Sequence, residues 1–312
     1  MGNGMKDRIL CRVLTGPTAS GKTAVSLRLA EKNGWEILCM DSMQIYRRMD
    51  IGTAKPTAEE RRRVPHHLLD FVEPSEPFSV SDYVRRAESL VKDLAKEGKQ
   101  VLFVGGTGLY LQALMHPMGM GGVPANPALR AELNELAMRS GGKEALHAYL
   151  ESLDPETAFR LPLGDIRRTI RAIEVTKATG IPFSRQPDRA EASPFRWKAV
   201  STALPRSELY DRINSRVDHM IRDGLYDEVA SLLAEGVHDD AQSMSAIGYK
   251  EMVPCVRGLR SLEETADLIR TASRHYAKRQ ETFLKRMEEI RYVDMCAPDA
   301  EEQIQNDLEQ TE

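Results

Sequence analysis

Short apolar runs and amphipathic stretches alternate along the first hundred residues. Residues 9–14, 36–40 and 100–104 read as buried strands. Between them, 23–32 and 79–96 repeat their apolar positions at helical spacing, the second opening on Ser79, Ser81 and Asp82. Strands alternating with helices predict a parallel sheet, with ligands at the carboxyl ends of its strands. From Gly119 the pattern changes. Residues 119–124 are rich in glycine and read as a flexible joint. The stretch 127–177 is helical throughout, with helices predicted over 128–140, 143–153, 155–160 and 165–179. Gly180-Ile-Pro182 and a polar segment to Pro194 close it off. A strand-like run returns at 197–204. Helices are then predicted over 208–223, 225–235, 263–270 and 271–288, and a short strand at 292–294. The pattern predicts an α/β fold. A P-loop parallel-sheet core comprises 1–119 and 197–295, an all-helical insertion comprises 120–196, and an acidic, disordered tail comprises 296–312.

The strand ends carry the candidate chemistry. The first runs into Gly16, Pro17, Thr18, Ala19, Ser20, Gly21, Lys22 and Thr23, a complete phosphate-binding loop between a strand and a helix. In that setting backbone N–H groups converge on an anion, and the helix N-terminus adds partial positive charge. Lys22 adds a full charge and the Thr23 hydroxyl can hold Mg²⁺. A glycine turn that binds nothing is the bland alternative, and the flanking strand and helix argue against it. The second strand ends at Asp41, Ser42, Met43 and Gln44. Asp41 is the one acid at a strand end near the loop. It can support a metal, act as a general base or acceptor for a nucleophile, or cap a helix. Gln44 can read an adenine edge by paired hydrogen bonds. The third strand ends at Gly105-Gly-Thr-Gly108, which places the Thr107 hydroxyl on the same sheet edge. Arg216, one helical turn after Arg212, can reach a phosphate or pair at the surface with Asp211 or Asp218. His66-His67 has no third ligand at a metal-binding spacing and reads as a structural hydrogen-bonding pair.

Composition narrows the class. The chain has 312 residues, 41% hydrophobic and 29% charged, as expected of a soluble globular protein. No apolar stretch is long enough to span a bilayer. Cys11, Cys39, Cys255 and Cys296 lie too far apart for a zinc site or a disulfide framework, so a reduced, cytoplasmic protein is expected. The net charge is −4, but the last 17 residues hold six acids and no base. Without them, 43 basic residues face 41 acidic ones. Any polyanion surface must therefore be a local patch. Candidates are Arg61-Arg62-Arg63, then Arg160, Arg167, Arg168 and Arg171, then Lys278, Arg279, Lys285 and Arg286.

Eight motifs occur in order. They are the loop Gly16–Thr23 (GPTASGKT), Asp41-Ser-Met-Gln-Ile-Tyr46, Met49-Asp-Ile-Gly-Thr-Ala-Lys-Pro56, His66-His-Leu-Leu-Asp70, Val104-Gly-Gly-Thr-Gly-Leu-Tyr110, Arg167-Arg-Thr-Ile-Arg-Ala-Ile-Glu174, Ser245-Ala-Ile-Gly-Tyr-Lys250 and Lys278-Arg-Gln280. Together they resemble the bacterial tRNA dimethylallyltransferases over residues 9–294. The resemblance implies transfer of a dimethylallyl group from dimethylallyl diphosphate to N6 of the adenine 3′ of the anticodon. It implies that the loop, with Lys22, Arg216 and Mg²⁺ on Thr23, grips a diphosphate leaving group. It implies that Asp41 accepts the N6 proton and that Thr107 and Gln44 help hold a flipped adenine. It further implies tRNA contact, at the anticodon stem-loop, by Asp41, Ser42, Met43, Gln44, Thr107, Arg130, Arg167, Arg168, Thr169, Ile170, Arg171, Lys278 and Arg279. The chain is expected to act as a monomer and away from membranes. Segments 116–122 and 183–196 do not match the family pattern. The competing readings are a P-loop kinase acting on a nucleoside or small molecule, and a nucleotide-gated RNA-binding protein without chemistry.

Overall fold

A computed structural model describes residues 8–116, 123–186 and 194–309. The chain divides into two compact units, residues 1–115 with 193–312, and residues 116–192.

The first unit is built on six parallel strands. In chain order its elements begin β1 (Ile9–Thr15), α1 (Lys22–Asn33), β2 (Trp35–Cys39), α2 (Ala58–Arg63), β3 (His66–His67), α3 (Val80–Lys96), β4 (Gln100–Val104) and α4 (Gly108–Met115). The second unit supplies α5 (Pro127–Met138), α6 (Gly142–Leu153), α7 (Pro155–Arg160) and α8 (Ile166–Thr179). The first then resumes with β5 (Phe195–Ala203), α9 (Arg206–Arg222), α10 (Leu225–Ala234), α11 (Tyr249–Val256), α12 (Leu262–Leu284), β6 (Ile290–Asp294) and α13 (Ala300–Glu309). The strand order is β3-β2-β4-β1-β5-β6. This puts β1 between β4 and β5, so the loop after β1 opens at the middle of the sheet edge. β2 and β4 lie side by side, with Cys39 opposite Val104. The loops bearing Asp41 and Thr107 are therefore neighbours. Near-continuous apolar strands suit a sheet covered on both faces. Ser79 with Asp82, and Ser261 with Glu264, form reciprocal capping boxes that start α3 and α12.

Several elements depart from the sequence reading. Residues 263–288, read as two helices, begin as one helix of 23 residues, because no glycine or proline interrupts Leu262–Leu284. The two-residue β3 is too short to leave a period. α4 is an apolar run with no polar face to reveal it, and α11 carries Pro254 in its interior. The tail needs the largest correction. Residues 300–309, expected to be disordered, form a helix whose Ala300, Ile304 and Leu308 are buried against Leu29, Val200 and Val293. Two of its acids tie down the element, through Arg28–Glu301 at 2.6 Å and Arg291–Asp307 at 2.8 Å. The i, i+4, i+8 apolar stripe outweighs the charge excess that suggested disorder. No helix among the described residues is long and apolar enough to cross a membrane.

Candidate functional site

The phosphate loop takes its shape from three left-handed residues, Gly16 (φ 137°), Ala19 (φ 63°) and Gly21 (φ 92°). At Gly16 a Cβ would lie 2.3 Å from Thr202 Oγ1, so β5 requires glycine there. Beneath the loop, the Ser20 and Thr202 hydroxyls share a 2.6 Å hydrogen bond. From α12, the Gln280 amide accepts from the Thr18 N–H and donates to the Gly106 carbonyl, both at 2.9 Å. One side chain thus joins the loops after β1 and β4.

Lys22 opens α1 and bends back to donate to the Pro17 carbonyl at 2.6 Å. Burial pushes its ammonium down to about 7, the Arg216 guanidinium pushes the same way, and Asp41 opposes them. Arg216 reaches in from α9, its Nη2 3.4 Å from the Thr53 carbonyl. Burial lowers its pKa also, with Asp41 again opposing. The surface pairing open to Arg216 in the sequence is not realised: Asp218 pairs with Arg270, while Arg212 pairs with Glu208. Two inward cations therefore share the cleft with one carboxylate, a balance that suits a polyanion.

Asp41 follows β2. Its Oδ1 accepts from the N–H groups of Met43 at 2.9 Å and Gln44 at 3.4 Å, which fixes the carboxylate in a turn. The capping and chemical readings of Asp41 are thus compatible, since one oxygen holds the turn while the side chain lines the cleft. Thr107 Oγ1 accepts from Ser42 N–H at 3.1 Å. Burial pushes the Tyr276 hydroxyl up, and the neighbouring Thr107 and Gln280 oppose that push. Gly105 packs so closely that a Cβ there would lie 2.0 Å from the Met40 carbonyl. Gln44 is committed within the chain: its Nε2 donates to the Thr53 and Ala54 carbonyls and its Oε1 accepts from the Cys39 thiol.

Two adjoining clefts meet at Thr18, Asp41, Thr53, Arg216 and Tyr276. One, of about 90 Å³, runs behind the loop past Lys22, Thr23, Gln44 and His66. The other, of about 260 Å³, has an apolar wall of Met43, Ile213, Val217, Met220, Ile247 and Ile269. A phosphate cradle thus opens onto a small greasy chamber, with Asp41 at the junction. His66 and His67 form hydrogen bonds, to the Val64 carbonyl and to Glu36 respectively, as the sequence suggested.

Tyr276, Gln280, Thr202 and Thr53 escaped the sequence reading as site residues. Ile269, Ser273, Tyr276 and Gln280 follow one another at helical spacing, a mixed stripe on α12 that could have disclosed an inward face. Thr53 enters through its carbonyl, which no side-chain pattern signals. Arg279 lines the chamber and lies over the Tyr276 ring at 5.7 Å, and Lys278 beside it is exposed.

In the helical unit the expected tRNA contacts divide. Thr169 and Ile170 are buried in α8, so their side chains do not reach the surface. Thr169 instead bonds the Asp165 carbonyl, and Ile170 belongs to the unit's core. Arg130 grips Glu174 through two 2.9 Å bonds, and Arg171 and the Asn126 N–H hold the same carboxylate. Against the upward push of burial, these donors hold Glu174 down to about 2. Arg130 and Arg171 are thus engaged in an internal clamp. Arg168 pairs with Asp165, while Arg167 is exposed and forms no ion pair among the described residues.

A central loop on a parallel sheet, joined to an apolar chamber, defines a phosphate-loop α/β protein. The family profile described as IPP transferase matches residues 44–287, and the chain belongs to that family. It is 44% identical to a tRNA dimethylallyltransferase of Geobacillus thermodenitrificans over 296 residues, covering 95% of this chain and 93% of that protein. It is 42% identical to that of Halalkalibacterium halodurans over 302 residues, covering 96% and 95%. The full-length tRNA isopentenylpyrophosphate transferase from Bacillus halodurans superposes with a TM-score of 0.71 at 40% identity, over 97% of both chains. A eukaryotic dimethylallyltransferase acting on tRNA superposes with a TM-score of 0.76 at 25% identity, over 92% of this chain and 74% of that one.

Proposed function

We propose that this protein transfers a dimethylallyl group from dimethylallyl diphosphate to N6 of adenosine 37, the nucleotide 3′ of the tRNA anticodon, and releases diphosphate. The observation that carries the reading is the junction of the two clefts. Asp41 stands where a five-carbon chain lying in the apolar chamber would meet a diphosphate lying in the loop. The C1–O bond of the donor breaks and the N6–C1 bond forms. The N6 proton passes to Asp41, and the electron pair leaves with the diphosphate. Lys22, Arg216 and the loop amides stabilise charge that grows on the leaving group. Thr107 stands beside Asp41 and positions the adenine, while Gln44, its amide committed to Thr53, Ala54 and Cys39, acts by holding the loop behind the base. Of the basic residues expected to meet tRNA, Arg167, Arg168, Lys278 and Arg279 are exposed and open to its phosphates.

The residues fit a magnesium ion. The Thr23 side chain lines the cleft, and its hydroxyl has no hydrogen bond among the described residues. No group of three His, Cys, Asp or Glu side chains forms a metal cluster among the described residues. Such a site suits an ion that takes most of its oxygens from phosphate and water. When bound, it would neutralise negative charge on the departing diphosphate.

Incubation with labelled dimethylallyl diphosphate and unmodified tRNA transcript tests the reading. Label in adenosine 37 is the expected result. Phosphate transfer from ATP, with no prenylation, would instead establish the kinase alternative.

A further inference from the structure

The loop 49–55 lies between the two substrate handles of the cleft, and one distant carboxylate holds it. Glu228, on α10, accepts from three consecutive backbone N–H groups: Asp50 at 2.9 Å, Ile51 at 2.8 Å and Gly52 at 3.2 Å. The Tyr249 hydroxyl, from α11, donates to the same carboxylate. Contact there is close, since a Cβ on Gly52 would lie 2.3 Å from the Tyr249 ring. The next residue turns its carbonyl into the cleft. That Thr53 oxygen accepts from Gln44 Nε2 at 3.0 Å and from Arg216 Nη2 at 3.4 Å. The Thr53 hydroxyl bonds back to the Met49 carbonyl at 2.6 Å, which closes the turn. Buried Lys55 anchors its far end on the Tyr46 carbonyl, Asp50 and Asp70.

We propose that Glu228, steadied by Tyr249, is a positioning residue for the transfer reaction. It contacts neither substrate. By gathering three amides it fixes where the Thr53 carbonyl points, and that one oxygen aligns both the diphosphate arginine and the glutamine beside the base. A lone surface carboxylate would do this poorly. Four donors on one carboxylate hold both its oxygens, so the loop cannot slide without breaking several charge-assisted bonds together. The proposal rests on the diphosphate role given to Arg216 above.

The test is a double-mutant cycle on pyrophosphate affinity in the presence of Mg²⁺, read by calorimetry, using Glu228→Gln and Arg216→Ala. Gln keeps the shape but turns an amide N–H towards the backbone donors. The sign of the effect is itself diagnostic. By Coulomb's law, deleting a negative charge near an anion site should tighten anion binding. The positioning role predicts the opposite, a pyrophosphate Kd raised about tenfold in Glu228→Gln, equivalent to about 1.4 kcal/mol. In the Arg216→Ala background the same substitution should change Kd less than about twofold, since sites that act through one another are not additive. Tyr249→Phe, which leaves the three amide bonds in place, should move Kd in the same direction by less. It also serves as the probe if Glu228→Gln does not fold. A lowered melting temperature with unchanged Kd would overturn the proposal, as would equal increases in both backgrounds. An unchanged Kd in Arg216→Ala alone would remove the diphosphate role of Arg216, and this proposal with it.

Discussion

At the scale of single residues, the site is a matter of charge and burial. Asp41 is the proposed base, and general-base contributions run to about 10²–10⁴-fold. Asp41→Ala should lower kcat by that order while pyrophosphate affinity, measured by calorimetry, holds or improves. Near wild-type kcat would remove Asp41 from the chemistry. Lys22 permits a test through pH. Its folded pKa of about 7 lies below the usual lysine value because burial penalises the charged form. The group therefore costs the free protein stability below pH 7, and the cost fades as pH rises towards the unfolded value. An anion beside the ammonium reverses the shift, so binding above pH 7 must take up a proton. Calorimetry at pH 8 in buffers of different ionisation enthalpy should show uptake approaching one proton per pyrophosphate bound, relative to Lys22→Met. That reference cancels the proton change of pyrophosphate itself. Equal uptake in both proteins would place the proton elsewhere.

At the scale of elements, the same residue type does two jobs in α8. Arg167 is exposed, whereas Arg171 turns towards Glu174 and shares it with Arg130. Glu174 stands three residues after Arg171 in the motif, but Arg130 and the Asn126 N–H, which complete the clamp around it, lie 44 and 48 residues earlier and leave no local sign. Arg167→Ala should raise the KM for tRNA, reduce the salt slope by about one and leave the melting temperature unchanged. Arg130→Ala should instead lower stability by about 1–3 kcal/mol, since it strips hydrogen bonds from a buried carboxylate. If Arg130→Ala proves neutral for stability and weakens tRNA binding, the clamp is not its main role. α13 behaves as a packed element also. Ile304 is fully buried, so Ile304→Ala should cost about 2–5 kcal/mol in chemical denaturation, which a frayed acidic tail could not show.

At the scale of the molecule, the parts legible in the sequence were those with a local signature. The loop of Gly16 to Thr23, the acid after β2 and the glycines after β4 each stand at a strand end. A parallel sheet gathers such ends on one edge whatever the exact strand order. Glu228 left no such trace, and Gln280 left only the mixed helical stripe it shares with Tyr276. Each lies far along the chain from what it holds, and a Gln or Glu on a helix looks like any solvated position until the fold brings a backbone to it. The chamber was illegible for the same reason, since Met43, Ile213 and Ile269 come from three separate segments. Yet the chamber is what separates the two enzyme readings. A kinase needs room for a nucleoside and its hydrogen bonds, whereas this wall offers mainly aliphatic and thioether surface beside a cradle with two inward cations. Ligand-dependent stability should reflect that difference. With Mg²⁺ present, dimethylallyl diphosphate at a hundredfold excess over its Kd should add about 2.7 kcal/mol to stability, a shift of several degrees in Tm. Pyrophosphate should stabilise less at equal concentration, because it leaves the apolar wall wet. Lengthening that wall's exposure by a polar substitution, Ile269→Asn, should erase the advantage of the prenyl ester while sparing pyrophosphate. ATP should stabilise less than either. Strong stabilisation by ATP, with none by the prenyl diphosphate, would show that the chamber does not select the ligand and would return the chain to the kinase reading.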